Sequence, residues 1–242
     1  MANKKKKMKQ IILILGITLG VLASINAQQL PRKGWLGAKI EFQQDTILVK
    51  SKPSIIEGCK VTKVIGGTAT AILLQENDII VKIDTNTFKS TNDLQQFITS
   101  KVEGDPIKLT IIRNGKIKNL TGKMVGKPRE TAQGHEVIYE SIPFKDGFLT
   151  IIINKPKKTG KMPGLLFIPG YTCSSIDGLS EKHPYGRIVR SYADSGYVVV
   201  RVEKSGLGDN QNTVDCSLTN LYDEVACFQA GYQRDRLHPG KS

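Results

Sequence analysis

Different hydrophobic patterns follow one another along this chain, and each predicts a different structure. A largely apolar run from Ile11 to Leu22 follows a cluster of lysines. From Gly34 to about Gly126 the pattern becomes strand-rich, with one clear helix. Gly37–Phe42 alternates, as a half-buried strand does. Cys59–Ile65 reads as a strand before a Gly66-Gly67 turn, and Ala69–Leu74 as a short helix. Asp78–Ile83 is rich in β-branched residues and predicts another strand. Thr91 is expected to cap a helix over Asn92–Ser100, with Leu94, Phe97 and Ile98 on one face. Ile107–Arg113 and Lys116–Met124 flank Asn114-Gly115, a strong hairpin signal.

The pattern restarts after a polar stretch, Lys127–Gly134, whose Pro and Gly mark a linker; the boundaries are set at 129–135. Glu136–Ile142 and Phe148–Asn154 predict antiparallel strands joined near Lys145-Asp146-Gly147. Leu165–Ile168 and Tyr197–Val202 are short buried strands. Tyr185–Ser195 is helical, with Gly196 suited to end it. Leu221–Tyr232 predicts a last helix. The order β-β-β-α-β-α suggests an α/β sheet with a parallel part.

Charge changes the reading of the first residues. Lys4–Lys7 and Lys9, the apolar run and the small residues up to Ala27 have the layout of an export signal over 1–27, cut after Ala27. An uncleaved anchor is the alternative, although a span needs about 20 apolar residues. An exported chain would be periplasmic or extracellular. Residues 28–33 are expected to be flexible. The formal net charge is +13, of which about +8 remains after the signal. The remaining Lys and Arg are scattered and no nucleic-acid motif accompanies them, so nucleic acid is not an expected partner.

No two of Cys59, Cys173, Cys216 and Cys227 have a CxxC spacing, and neither metal nor cofactor is expected. Cys227 reads as a small buried hydrophobe. His135, His183 and His238 read as surface residues. Ser174, Ser175 and Ser205 lack a paired base at motif spacing. Gly240-Lys241-Ser242 imitates the end of a P-loop without its first Gly.

The first unit, 34–128, resembles the PDZ domains of bacterial envelope proteins. The resemblance rests on an ordered set: Trp35-Leu36-Gly37-Ala38; Val61 and Val64 with Gly66-Gly67-Thr68-Ala69; Asn77-Asp78-Ile79-Ile80 with Ile83-Asp84; then Leu94, Gly104-Asp105, Ile111, Arg113 and Gly115. Asn77 and Thr85 stand where the family commonly has Gly. The resemblance implies an α+β, strand-rich, partly open barrel with a groove helix. It also implies that a peptide or protein C-terminal segment adds to the edge of the first strand. Trp35, Leu36, Gly37, Ala38, Lys39 and Ile40 would line one side, and Leu94 and Ile98 a side-chain pocket on the other.

The second unit, 136–233, resembles the start of an exported α/β-hydrolase. Pro163–Thr172 is similar to that family's third strand and oxyanion loop, and Gly196–Lys204 with Ser205-Gly206-Leu207-Gly208-Asp209 to the next strand and turn. Cys173–Asp177 and Asp215-Cys216 add to the match. The resemblance implies that Gly170, Tyr171 and Thr172 form an oxyanion loop, with a backbone N–H of Tyr171 or Thr172 as one donor. It also implies that Cys173 and Cys216 lie in neighbouring loops, either as a disulfide or as two free thiols. No G-x-S-x-G occurs in the sequence. Residues 234–242 depart from the family, so the expectation is a hydrolase ending before its nucleophile, acid and His. The alternatives are a peptide-binding module with a non-catalytic remnant, or a fragment completed by a separate hydrolase portion.

Overall fold

The computed structural model describes residues 29–49 and 52–237. The expected signal and its cut after Ala27 lie outside the described residues, as do His238 and Gly240-Lys241-Ser242. Among the described residues no helix is long and apolar enough to cross a membrane.

The first unit is one antiparallel sheet in the order β1-β2-β3-β4-β5. Its strands are β1 (Ala38–Val49), β2 (Lys52–Val64), β3 (Ile79–Ile83), β4 (Pro106–Arg113) and β5 (Lys116–Lys123). Two helices accompany it, α1 (Gly67–Ala71) and α2 (Thr91–Ser100). Strand alternation builds the core: Ile107, Leu109 and Ile111 of β4 point inward, while Lys108 is exposed. They meet Val61, Ile80, Ile83, Leu94, Ile98 and Met124. Asn114 and Gly115 both take positive φ, 51° and 70°, as a two-residue hairpin turn requires. Asn77 also takes positive φ, 69°, and next to it Asp78 is fully buried. Both Asp78 oxygens accept from Arg113, through Nε and a terminal nitrogen at 2.7 Å each.

The β1–β2 hairpin is longer than the alternation suggested. Its pairing continues from Phe42↔Cys59 to Val49↔Lys52. Gln43-Gln44-Asp45 interrupts the apolar pattern, but backbone pairing in a hairpin does not require apolar side chains.

The second unit is a sheet in the order β6-β7-β9-β8. It contains β6 (His135–Phe144), β7 (Gly147–Pro156), β8 (Gly164–Phe167) and β9 (Val198–Val202). β6–β7 and β7–β9 are antiparallel, and β8–β9 is parallel. Helix α3 (Pro184–Asp194) precedes β9, and α4 (Leu221–Leu237) follows a short 3-10 turn at Cys216–Leu218. All five residues of β9 are buried, because it lies between β7 and β8. Val198-Val199-Val200 is therefore central, and β8 lies at the end of the sheet.

Three expectations need correction. Residues 29–33 are not loose: Leu30 and Arg32 are buried, and Lys33 bridges Val102. The stretch read as a linker is packed: the Glu130 side chain is buried against Arg201, and His135 opens β6 as a buried residue. Helix α4 continues through Arg234–Leu237, past Tyr232, where the sequence pattern ended it.

Candidate functional site

The loop before β1 is fixed by its carbonyls. Trp35 O accepts from the Thr68 hydroxyl at 2.8 Å, Leu36 O from Ala69 N at 2.7 Å, and Gly37 O from Ile65 N and Gly66 N at 2.8 and 2.9 Å. Among the described residues, the N–H groups of Leu36 and Gly37 have no hydrogen-bond partner. Gly37 holds φ at +72°, and a Cβ there would collide with the Gly66 backbone. Trp35 lies over Gly66 and Gly67, where a Cβ on Gly67 would strike its ring. Two successive amides beside a positive-φ residue form an anion-binding concavity.

Beyond the loop, β1 pairs with β2 on one edge. Its other edge faces α2, because Phe42 N donates to Thr91 Oγ1 at 3.2 Å. By the two-residue period, Ile40 directs its N–H and C=O to the same side. Ala38 and Ile40 are half-buried and Lys39 is exposed.

Leu94 and Ile98 are 0% and 1% exposed and belong to the core cluster behind the strand. The α2 residue that reaches the strand is Thr91. It does not cap the helix: the cap is Ser90, whose hydroxyl accepts from Asp93 N at 3.0 Å. A Ser-Thr pair at a helix start left the cap ambiguous by one residue.

In the second unit, Cys173 and Cys216 are joined in a disulfide with Cα atoms 5.6 Å apart. It links the loop after β8 to the 3-10 turn after β9. Cys59 and Cys227 are free and buried. Burial, followed by nearby Asp93, pushes the Cys59 thiol up to about 11. Thr172 N donates to Gly170 O at 2.9 Å, so that amide is already used within the loop. Tyr171 N has no partner among the described residues. The loop is held from beneath by Lys204, whose Nζ donates to Gly170 O at 2.6 Å and Thr172 O at 2.8 Å and pairs with Glu224 of α4 at 2.6 Å.

Pattern reading missed a network of buried charges behind these loops. Arg32 lies between Asp177 at 2.8 Å and Asp209 at 2.5 Å, and Lys33 N donates to Asp209 at 2.8 Å. Tyr139 donates its hydroxyl to Asp177 at 2.7 Å. Arg201 forks onto both oxygens of Glu130 at 2.9 and 3.0 Å and donates to Asn154. Asn154 contacts His135, which meets Asp194 at 2.7 Å. Glu203 accepts from the Ser175 hydroxyl at 2.6 Å and from Ile176 N. Burial raises the Glu203 carboxyl to about 6, against the opposing pull of these hydrogen bonds. His183 is exposed and accepts from Tyr185 N at the start of α3. Among the described residues no group of three His, Cys, Asp or Glu side chains is arranged to hold a metal.

A family model described as PDZ domain matches residues 31–124. No curated protein matches the chain. Among solved structures, the HtrA-type protease AlgW with decapeptide is 22% identical; the match covers 41% of this chain and 31% of that chain, with a TM-score of 0.34. This chain thus spans less than a third of that protease. The PDZ domain of EpsC from Vibrio cholerae is 17% identical; the match covers 35% of this chain and 78% of that chain, with a TM-score of 0.23. The matching segment begins at Pro31, within the packed start of the first sheet, and ends at Met124 in its core. The family match thus covers residues 31–124, the first of the two sheets, and that unit is PDZ-like.

Proposed function

We propose that this domain captures the C-terminal segments of peptides or proteins. The bound segment adds to β1 as a strand in the groove beside α2. Its terminal carboxylate rests on the N–H groups of Leu36 and Gly37. The observation that carries this reading is the loop itself: three fixed carbonyls, two amides without a partner, and a glycine that cannot be replaced without a clash. Strand addition supplies affinity through main-chain bonds, and the amides select a free chain end. Fluorescence anisotropy with a labelled decapeptide, free-acid against C-terminally amidated, tests it. The expected result is saturable binding of the acid and at least about tenfold weaker binding of the amide, the scale of a lost hydrogen bond to a charged group. Equal binding of the two forms would overturn the reading.

A second reading concerns residues 136–233. We propose that they form the opening strands of an α/β-hydrolase sheet in an exported protein. The parallel β8–β9 pair, the loop Gly170–Thr172 beyond β8 and the disulfide-linked loops at the carboxyl ends of both strands support it, since such sheets bind ligands at that edge. The chain carries no G-x-S-x-G, so it is expected to hydrolyse a p-nitrophenyl ester only at the background rate. Turnover that titrates with a serine-directed phosphonate would sink that expectation.

A further inference from the structure

The solvent face of the groove strand carries an uncompensated pair of like charges. Lys39 of β1 lies directly opposite Lys63 of β2, and both side chains are exposed. Like charges directly opposite on one face of a sheet destabilise it. The next outward pair along the same face, Glu41↔Lys60, is compensated. Among the described residues neither Lys39 nor Lys63 has an ion-pair partner; the salt bridges of this unit lie elsewhere, at Asp84–Lys101 and Asp78–Arg113.

A segment adding to the free edge of β1 would meet this pair at a defined place. If its carboxylate rests on Leu36 and Gly37, its last residue lies beside Ala38 and its penultimate residue beside Lys39. Residues directly opposite in a ladder point to the same face. The last side chain then turns toward the domain, and the penultimate one turns outward beside Lys39, with Lys63 one strand further across.

We infer that this groove selects chain ends with an acidic penultimate residue, through Lys39 and Lys63. The inference rests on the C-terminal capture reading above and adds the partner's chemistry: an acidic side chain immediately before an apolar terminal residue. It relieves a repulsion already present in the free domain. Two exposed pairings of this kind are worth roughly three- to tenfold in affinity between penultimate Glu and Lys. The preference weakens with salt.

The test uses the full chain and labelled decapeptides ending Ala-Ala-Xaa-Val, with Xaa as Glu, Gln or Lys, each as free acid and as amide. The expected order of affinity is Glu above Gln above Lys for the free acids, with the spread reduced at 0.5 M salt. A Lys39→Glu variant should reverse the order, and Lys63→Gln should narrow it. Both side chains are exposed, so a circular-dichroism melt near that of the parent would show that the variants fold. If free acids bind, amides do not, and the three acids bind equally, the penultimate preference is overturned while C-terminal capture stands. If no free acid binds better than its amide, both readings fall together. If Lys39→Glu keeps the preference for Glu, the assignment to this lysine pair is wrong.

Discussion

Glu203 is fully buried and lies two hydrogen bonds, through the Ser175 hydroxyl, from Asp177, which pairs with Arg32. Its neighbours are the Ser175 hydroxyl, the Ile176 and Lys204 amides and, at longer range, Asp177. Desolvation raises its pKa from 4.5 to about 6 in the fold. A raised carboxyl pKa means that the folded state holds the proton more tightly than the unfolded chain. The stability this contributes is fully present below 4.5 and is lost as pH rises through about 6. Relative to a Glu203→Gln variant, the parent should lose about 2 kcal/mol across that window, read by urea unfolding at matched pH values. Parallel pH profiles would show that Glu203 does not titrate there. Nothing in the sequence around Glu203 announced this role. Local signals were legible where backbone geometry alone demanded them, as at Asn77, Gly37 and Asn114-Gly115. The partners of Glu203, Arg201 and Arg32 come from distant segments: Arg201 meets Glu130 across 71 positions. Periodicity tells which side chains turn inward and carries no information about which distant charge each will find.

Strands and helices were more legible than single partners, because burial on one face leaves a period in the sequence. The β4–β5 hairpin, α2 and β9 fall within a residue or two of their expected bounds. The failures share a cause. The β1–β2 hairpin runs on past the polar break at Gln43-Gln44-Asp45, and α4 runs on past Tyr232 through polar residues, so in both the element continues where the apolar period is interrupted. The start of α2 has a chemical consequence. With Ser90 as the cap, Thr91 is free to bond Phe42 N on the groove strand. Ser90→Ala should cost about 1 kcal/mol of stability, as loss of a helix cap does, in thermal or urea unfolding. A Thr91→Ala variant leaves that cap in place and removes the bond to Phe42. A Ser90→Ala variant as stable as its parent would return the cap to Thr91.

The two units meet through Arg32, which belongs in sequence to the first and in its contacts to the second. Its Nε donates to Lys127 O at 2.8 Å, while its terminal nitrogens hold Asp177 and Asp209, whose side chains are 4% and 6% exposed. Removing the guanidinium would strand two buried carboxylates, so Arg32→Met should cost about 3–5 kcal/mol. The same change should speed tryptic cleavage after exposed Arg129, in a stretch that the clasp otherwise holds against both units. Unchanged cleavage would mean that the units are joined by other contacts. A flexible N-terminal segment and a plain linker, as composition suggests, would have allowed the two sheets to move apart freely.

The same clasp fixes a direction. The Trp35–Ala38 loop begins three residues after Arg32, and the Lys33 amide is itself held by Asp209. A tail seated on Leu36 and Gly37 would therefore leave the groove on one bearing relative to the β8–β9 edge, instead of sweeping through a cone on a loose tether. Whatever the tail belongs to would then be held, as in a jig, on a set axis relative to the second sheet.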